Sequence, residues 1–314
     1  MTKIKVAFVG AGYMTTEHMK AFSDIEEVVI TGICSKTRER AEKLAALYPG
    51  TIVCDTIDEL YGKTKADIIV VSVPELIVAE LASQCFRYPW ICLFEKPLGL
   101  NVNESKQINA EAKQTHSKVF VLLNRRQYSS TDTVLKDLED RSETRLIQVQ
   151  DQEDIKVQTE KGVSKLLTDN WMYANAIHII DYFTFLGRGE ISTVENLIPW
   201  NPANPGYVSA KINYVSGDIG LYTAIWNAPA PWSVAVTTAS RRWELKPLEQ
   251  AAYQDYRSRA VNPVVSHEWD TQFKPGLRKQ AQQAINFFKG EEHALPTLDD
   301  AMETMELIHT IYGV

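Results

Sequence analysis

The stretch Ile4-Lys5-Val6-Ala7-Phe8-Val9-Gly10-Ala11-Gly12-Tyr13-Met14-Thr15 decides how the first half of this chain is read. A short apolar run, Ile4 to Val9, has the length and β-branched content of a buried strand. It ends on Gly10-Ala11-Gly12 and passes directly into a helical pattern at about 14–23. Two glycines so placed let the chain turn tightly and let an anion approach the backbone N–H groups of a helix N-terminus. They are the first two glycines of the GxGxxG pyrophosphate fingerprint. Thr15 stands at the third, where glycine mainly allows close helix–strand packing, so threonine shifts the helix slightly and leaves binding possible. The alternative is a purely structural tight turn, against which stands the context that the fingerprint requires.

Outward from that turn, short apolar strands alternate with helix-length amphipathic segments. Candidate strands are Val28–Cys34, Ala66–Val73, Trp90–Phe94 and Lys118–Leu123, with helical patterns at about 38–48, 76–86 and 103–115. Such alternation reads as βαβ units around a parallel sheet covered on both faces, a doubly wound α/β domain over 1–123. After Asn124 a strand at Arg145–Gln150 and a helix at about 170–186 precede successive strands at Ser192–Leu197, Tyr207–Tyr214, Gly220–Trp226, Trp232–Thr238 and Arg241–Leu245. Strand following strand over short polar connections predicts an α+β domain, 124–314, with a large, mainly antiparallel sheet. Two closing helices, at about 276–289 and 298–311, are candidates to pack back on the first domain.

The chain has 314 residues, 45% of them apolar and 23% charged, which suits two ordinary globular domains. Its 33 basic against 40 acidic residues leave a formal charge of -7, which argues against DNA or RNA as a partner, because polyanion binding needs a basic surface. Cys34, Cys54, Cys85 and Cys92 form no CxxC pair and read as buried free thiols. Val6–Val9 is too short for a signal-peptide core and Ile68–Val73 too short for a membrane span, so the expectation is a soluble, cytoplasmic protein without a membrane partner. His116, His267, His293 and His309 show no metal-ligand spacing, and no metal is expected.

About 20 residues after the glycine turn, an acidic residue would normally take the ribose hydroxyls of NAD. Here the second strand ends Cys34-Ser35-Lys36-Thr37-Arg38, with no carboxylate until Glu39. Hydroxyls and cations suit a 2′-phosphate, so NADP is preferred and NAD remains possible. The alternative is that Lys36 and Arg38 merely solvate the start of a helix.

The fifth strand ends Leu93-Phe94-Glu95-Lys96-Pro97-Leu98-Gly99. With the glycine turn before it, Asn124-Arg125-Arg126 after the next strand, Ala176-Ile177-His178-Ile179-Ile180-Asp181 on the later helix, and Lys274-Pro275-Gly276 and Leu298-Asp299-Asp300-Ala301-Met302 near the end, the chain resembles the glucose–fructose oxidoreductase/inositol dehydrogenase (Gfo/Idh/MocA) family over nearly its whole length. The resemblance implies an N-terminal Rossmann domain and an NAD(P)-dependent oxidoreductase acting on CH–OH groups of sugars, cyclitols, sugar acids or nucleotide sugars. It also implies a homo-oligomer, dimer or tetramer, built through the C-terminal sheet.

By that resemblance Lys96 lies near the nicotinamide, often with the following X-Pro bond cis, and is the acid/base candidate. Hydride leaves an alcohol readily only if the hydroxyl proton also leaves, and desolvation can bring a lysine toward neutrality. Its alternative is a surface lysine paired with Glu95. His178 is the second catalytic candidate. At α-helical spacing it shares a face with Ala174 and Asn175 before it and with Asp181 after it. The family pattern commonly has aspartate four residues before this histidine, where this chain has Ala174. The Pro-Asn pattern after the fourth strand is likewise altered, to Pro74-Glu75, with Val78 at a position that often holds histidine. The cofactor-contacting set is Gly10, Gly12, Tyr13, Met14, Ser35, Lys36, Thr37, Arg38, Val73, Pro74, Glu95, Lys96 and Arg126. The substrate-contacting set is Lys96, Arg125, Trp171, Tyr173, Asn175 and His178; the alternative is that Trp171 and Tyr173 are interdomain core and that Arg125 and Arg126 pair with acidic neighbours. His18 and Asp181 read as structural. Ala174 leaves a second expectation open, a dinucleotide-binding sensor or assembly protein without redox turnover.

Overall fold

The computed structural model describes residues 3–314, which divide into two compact units: the chain through Asn124 together with Trp269–Ala301, and Arg125–Glu268 together with Met302–Val314.

The first unit is a six-stranded parallel sheet. Its strands are β1 (Ile4–Val9), β2 (Val28–Cys34), β3 (Ile52–Cys54), β4 (Ile68–Val71), β5 (Ile91–Glu95) and β6 (Lys118–Leu122), in the spatial order β3-β2-β1-β4-β5-β6. Helices α1 (Tyr13–Ser23), α2 (Arg38–Ala45), α3 (Ile57–Thr64), α4 (Val78–Cys85) and α5 (Val102–Gln114) make the crossovers. β1, β4 and β5 are apolar and buried nearly throughout, as strands covered on both faces must be. The order reverses between β1 and β4, and the register brings Val9 beside both Cys34 and Val71, and Val71 beside Phe94. The segments after β1, β2, β4 and β5 therefore leave one edge of the sheet together, where open α/β sheets bind ligands.

β3 and α3 fall in a stretch for which no element is predicted from sequence. Three residues carry too little periodicity to mark a strand, but the helix has a legible start: Thr56 accepts from the Glu59 N–H at 3.0 Å, and Glu59 stands three residues on, as in a capping box. Gly32 on β2 faces α3, where a Cβ would come within 2.6 Å of Leu60 and 2.7 Å of Thr64. The helix Leu277–Lys289 packs on α1 in this same unit, with Leu277, Ala281, Ala284 and Ile285 in one cluster with Met19 and Phe22. All four cysteines are buried free thiols.

The second unit is built on an eight-stranded sheet of β7 (Leu146–Glu153), β8 (Ile191–Ile198), β9 (Tyr207–Tyr214), β10 (Ile219–Trp226), β11 (Ser233–Thr237), β12 (Arg241–Leu245), β13 (Ala251–Asp255) and β14 (Asn262–Pro263), in the order β14-β13-β12-β11-β7-β10-β9-β8. Every neighbouring pair is antiparallel except β7 and β10, which run parallel. β7 has strict period-2 burial: Ile147, Val149, Asp151 and Glu153 point into the unit, while Gln148, Gln150 and Gln152 alternate toward the other face. The expected helix at 170–186 is not one regular helix. It opens with a π-helical segment, Met172–Ala176, followed by α-helical Ile177–Ile180 and Tyr182–Leu186. Among the described residues no helix is long and apolar enough to cross a membrane.

Candidate functional site

In the first unit the site begins at the glycine turn. Gly10 has φ +106°, and a Cβ there would lie 2.0 Å from the Ser72 carbonyl oxygen, so the position accepts only glycine. Its N–H donates to the Cys34 carbonyl at 2.8 Å, stitching the β1 and β2 ends together. Gly12, by contrast, faces open space, with nothing within 4 Å of where a Cβ would stand. It precedes α1, which has no side-chain N-cap and no acidic residue in its first turn. The helix start thus keeps unsatisfied N–H donors and positive potential. Thr15 is fully buried, and its hydroxyl has no hydrogen-bond partner among the described residues. These features fit a pyrophosphate: an uncapped helix start, room at Gly12 and an uncommitted hydroxyl beside them.

The neighbouring strand ends carry the remaining predicted cofactor residues. Ser35 accepts from the Thr37 N–H at 3.3 Å. Arg38 donates to Asp55 at 2.6 Å and to Glu42 at 2.9 Å, and these two carboxylates hold its pKa above the ordinary arginine value. Asp55, which follows β3, is thus a carboxylate at this edge that inspection of the β2 end alone misses. The ion pairs are exposed, and such pairs hold their partners weakly. Tyr13 is exposed with Lys274 over its ring at 5.5 Å, Met14 packs against the core cluster, and Val73-Pro74 form the turn between β4 and Glu75–Ile77. Glu95 accepts from His18 Nε2 at 2.6 Å, a nearly buried pair that fixes the end of β5 just before Lys96. Lys96 itself is half-buried, and the Lys96–Pro97 peptide bond is cis.

In the second unit, Arg125 lies 5.0 Å from the ring of Trp232, whose ring centre is 6.3 Å from that of His178. Trp232 is therefore a site residue that sequence reasoning treated only as part of a strand. Its indole N–H donates to the Gln152 carbonyl at 2.9 Å, and its ring has the Arg125 guanidinium over it and the His178 imidazole tilted beside it. Arg126, expected to contact cofactor, has its guanidinium on Asp181, with bonds of 2.8 and 2.7 Å, and on Thr184 at 2.9 Å. Asp181 also accepts from Thr304 at 2.7 Å, so this carboxylate ties together three parts of the unit. Tyr173, expected to contact substrate, is buried, with its hydroxyl 3.2 Å from the Val314 carbonyl. The π-helical turn also changes the register before His178, because its wider turn displaces the α-helical faces by about a residue.

Trp171 and Asn175 converge instead on a residue outside the predicted set. Glu153 accepts from the Trp171 indole N–H at 2.7 Å and from the Asn175 amide at 2.8 Å, both on Oε2. Burial, reinforced by the neighbouring carboxyl of Asp151, raises its pKa well above the ordinary glutamate range. Asp151, fully buried, accepts from Tyr222 at 2.6 Å, and Tyr222 lies 2.9 Å from the Tyr312 hydroxyl. Burial likewise raises Asp151 above the ordinary aspartate range. The signal was in the alternation Leu146-Ile147-Gln148-Val149-Gln150-Asp151-Gln152-Glu153, where two acids continue an apolar, inward-facing register. No group of three His, Cys, Asp or Glu side chains is arranged to hold a metal among the described residues.

Residues 4–123 match the family model described as an oxidoreductase family with an NAD-binding Rossmann fold. Among curated proteins, the chain is 24% identical over 110 residues to the scyllo-inositol 2-dehydrogenase (NADP(+)) IolU of Bacillus subtilis, covering 35% of this chain and 34% of that one. It is 24% identical over 191 residues to a 4-carboxy-2-hydroxymuconate-6-semialdehyde dehydrogenase of Sphingobium, covering 58% of each. The matches thus span between a third and somewhat over half the length of these relatives. The fold as a whole is similar to the solved UDP-N-acetylglucosamine 3-dehydrogenase of Acidithiobacillus ferrooxidans, with a TM-score of 0.80 at 14% identity, covering 100% of this chain and 98% of that one.

Proposed function

We propose that this chain, whose residues 4–123 match the Gfo/Idh/MocA oxidoreductase family model, is an NADP-dependent dehydrogenase or reductase of a sugar, sugar acid or nucleotide sugar. The observation that carries the reading is the shared edge of the parallel sheet. The uncapped start of α1 at Gly12 and the Lys96 that follows β5 leave the same edge of one rigid sheet. The α1 start and Thr15 would hold the pyrophosphate, with Ser35, Lys36, Thr37 and Arg38 toward the ribose and its 2′-phosphate. For the phosphate, Arg38 would give up exposed bonds to Asp55 and Glu42, which costs little.

The bound nicotinamide supplies the hydride acceptor or donor. Everything else falls to this chain. In the oxidative direction Lys96 Nζ takes the substrate hydroxyl proton; in the reductive direction it returns that proton to the developing alkoxide. His178 and Arg125, both neighbours of the Trp232 ring, offer a donor–acceptor and a cation to the oxygens of a polyhydroxylated ligand, and Asn175 offers an amide. Association of copies through the C-terminal sheet belongs to the same reading.

The test combines fluorescence titration with NADPH and NADH and a turnover assay across sugars, sugar acids and nucleotide sugars. Lys96→Met is expected to bind NADPH like the parent and to lose about 10²- to 10⁴-fold in kcat. A loss within a few-fold removes Lys96 from the acid/base role. A second reading is favoured by Ala174, where the family pattern has an aspartate: a protein that binds the dinucleotide without redox turnover. Tight NADPH binding with no turnover of any of these substrate classes would select it.

A further inference from the structure

Asp151 and Glu153 lie two residues apart on β7, on the same inward face, and both side chains are essentially excluded from solvent. Each has one oxygen supplied with donors and one without. Tyr222 serves Asp151 Oδ2, and Trp171 and Asn175 serve Glu153 Oε2, whereas Asp151 Oδ1 and Glu153 Oε1 have no donor among the described residues. Two adjacent buried carboxylates cannot both ionise without mutual repulsion and full desolvation cost. One proton shared by the two carboxyls removes the repulsion and leaves a single buried charge to desolvate, and it would give the two orphaned oxygens a donor.

We propose that Asp151 and Glu153 are a one-proton carboxylic dyad, the proton shared between Asp151 Oδ1 and Glu153 Oε1, and that Glu153 is the positioning residue for Asn175. The two carboxyls share one face of the strand with one orphaned oxygen each, and burial raises both above their usual ranges. With the shared proton on the Oε1 side, Glu153 Oε2 is left as the acceptor that fixes the Trp171 indole and the Asn175 carboxamide. Asn175 Nδ2 is then committed to Glu153, and its Oδ1, which accepts no hydrogen bond among the described residues, is the end left to accept from a ligand hydroxyl. Where the family pattern places a charged aspartate at 174, this chain thus holds a neutral acceptor at 175 backed by a buried acid. The last step, toward a hydroxylated ligand, rests on the function proposed above; the shared proton does not.

The titratable groups facing the pair are the phenols of Tyr222 from β10 and Tyr312 from the C-terminal helix Leu298–Tyr312, both raised far above the ordinary tyrosine range by burial. Trp171, Asn175 and Trp232 face it without charge. The bonded partners of both carboxyls are all neutral, so no hydrogen-bonded cation offsets a second negative charge.

The test needs no cofactor, substrate or turnover. The full chain, labelled with ¹⁵N-tryptophan and ¹⁵N-asparagine, is followed by NMR from acid to alkaline pH, with Trp171→Phe and Asn175→Ala assigning the two signals. The indole N–H of Trp171 and the side-chain amide of Asn175 are expected to move together in one step at a pH above the ordinary carboxylate range. Glu153→Gln is expected to fold, to keep both hydrogen bonds and to abolish that step, because its amide N–H reproduces the shared proton. Glu153→Leu is expected to leave the Asn175 amide averaged with solvent. A step within the ordinary carboxylate range, signals that move independently, or a Glu153→Gln protein whose melting temperature at acid pH falls as far as that of Glu153→Leu would each overturn the dyad. Absence of sugar turnover alongside the expected NMR behaviour would count against the proposed function and leave the dyad standing.

Discussion

The phosphate turn of the first unit and the carboxylate network of the second solve opposite problems. Around Gly10 the groups that matter are backbone groups, held by neighbours within a few residues or by strands already paired in a sheet. Around Asp181, Asp151 and Glu153 the partners are side chains from residues tens to more than a hundred positions away: Arg126, Thr304, Tyr222 and Tyr312. A backbone site is specified by conformation and tolerates drift elsewhere. A side-chain network exists only once the unit is packed, and the loss of one member leaves buried partners uncompensated.

The largest expected effect falls on that network. Asp181→Ala leaves the nearly buried Arg126 guanidinium without its bidentate partner and should cost about 3–5 kcal/mol of stability, read by denaturant unfolding. An unfolding midpoint unchanged from the parent would break the contrast between the two units. Next comes Gly10→Ala, which places a methyl against the Ser72 carbonyl and strains a positive φ; it should cost on the order of 2–3 kcal/mol and abolish NADPH binding by fluorescence titration. Retained affinity would mean that the turn is not a phosphate site. The smallest effect on folding is expected from Lys36→Ala with Arg38→Ala. The only ion pairs lost among the described residues are the exposed ones of Arg38, so the melting temperature should stay unmoved while NADPH affinity falls roughly tenfold and NADH affinity stays level. Equal affinities for both dinucleotides before and after would remove the NADP preference.

The pH dependence sharpens the same contrast. Asp151 and Glu153 have pKa values raised in the folded state, so their contribution to stability is complete below the unfolded carboxylate pKa and is lost as pH rises toward the folded values. Thermal melts of the parent should therefore decline across that window relative to Glu153→Gln. A parallel decline in both would assign the loss to other groups.

Most of the first unit could be read before folding because its strands are apolar runs closed by glycine, proline or polar turns, and because the motif at 10–12 states a backbone conformation directly. β3 escaped because three residues show no period, though Thr56 and Glu59 announced the helix after it. Trp171 and Asn175 could be marked as polar or aromatic residues near His178, but helical spacing alone could not foresee the π-helical turn, nor that the Tyr173 hydroxyl is spent on the Val314 carbonyl. The acidic pair at 151 and 153 was visible only as a departure from an apolar alternation.

Chain order by itself determined the doubly wound half, the glycine turn and the lysine at the end of β5, since each depends on local conformation or on apolar patterning along one strand. Tertiary structure alone decided which polar groups meet and which are buried: Arg126 on Asp181, Trp232 beside Arg125 and His178, and two carboxyls on β7 each enclosed with one oxygen unserved. Desolvation and hydrogen-bond partners set those states, and both come from residues that meet only when the sheet and its covering helices close over them.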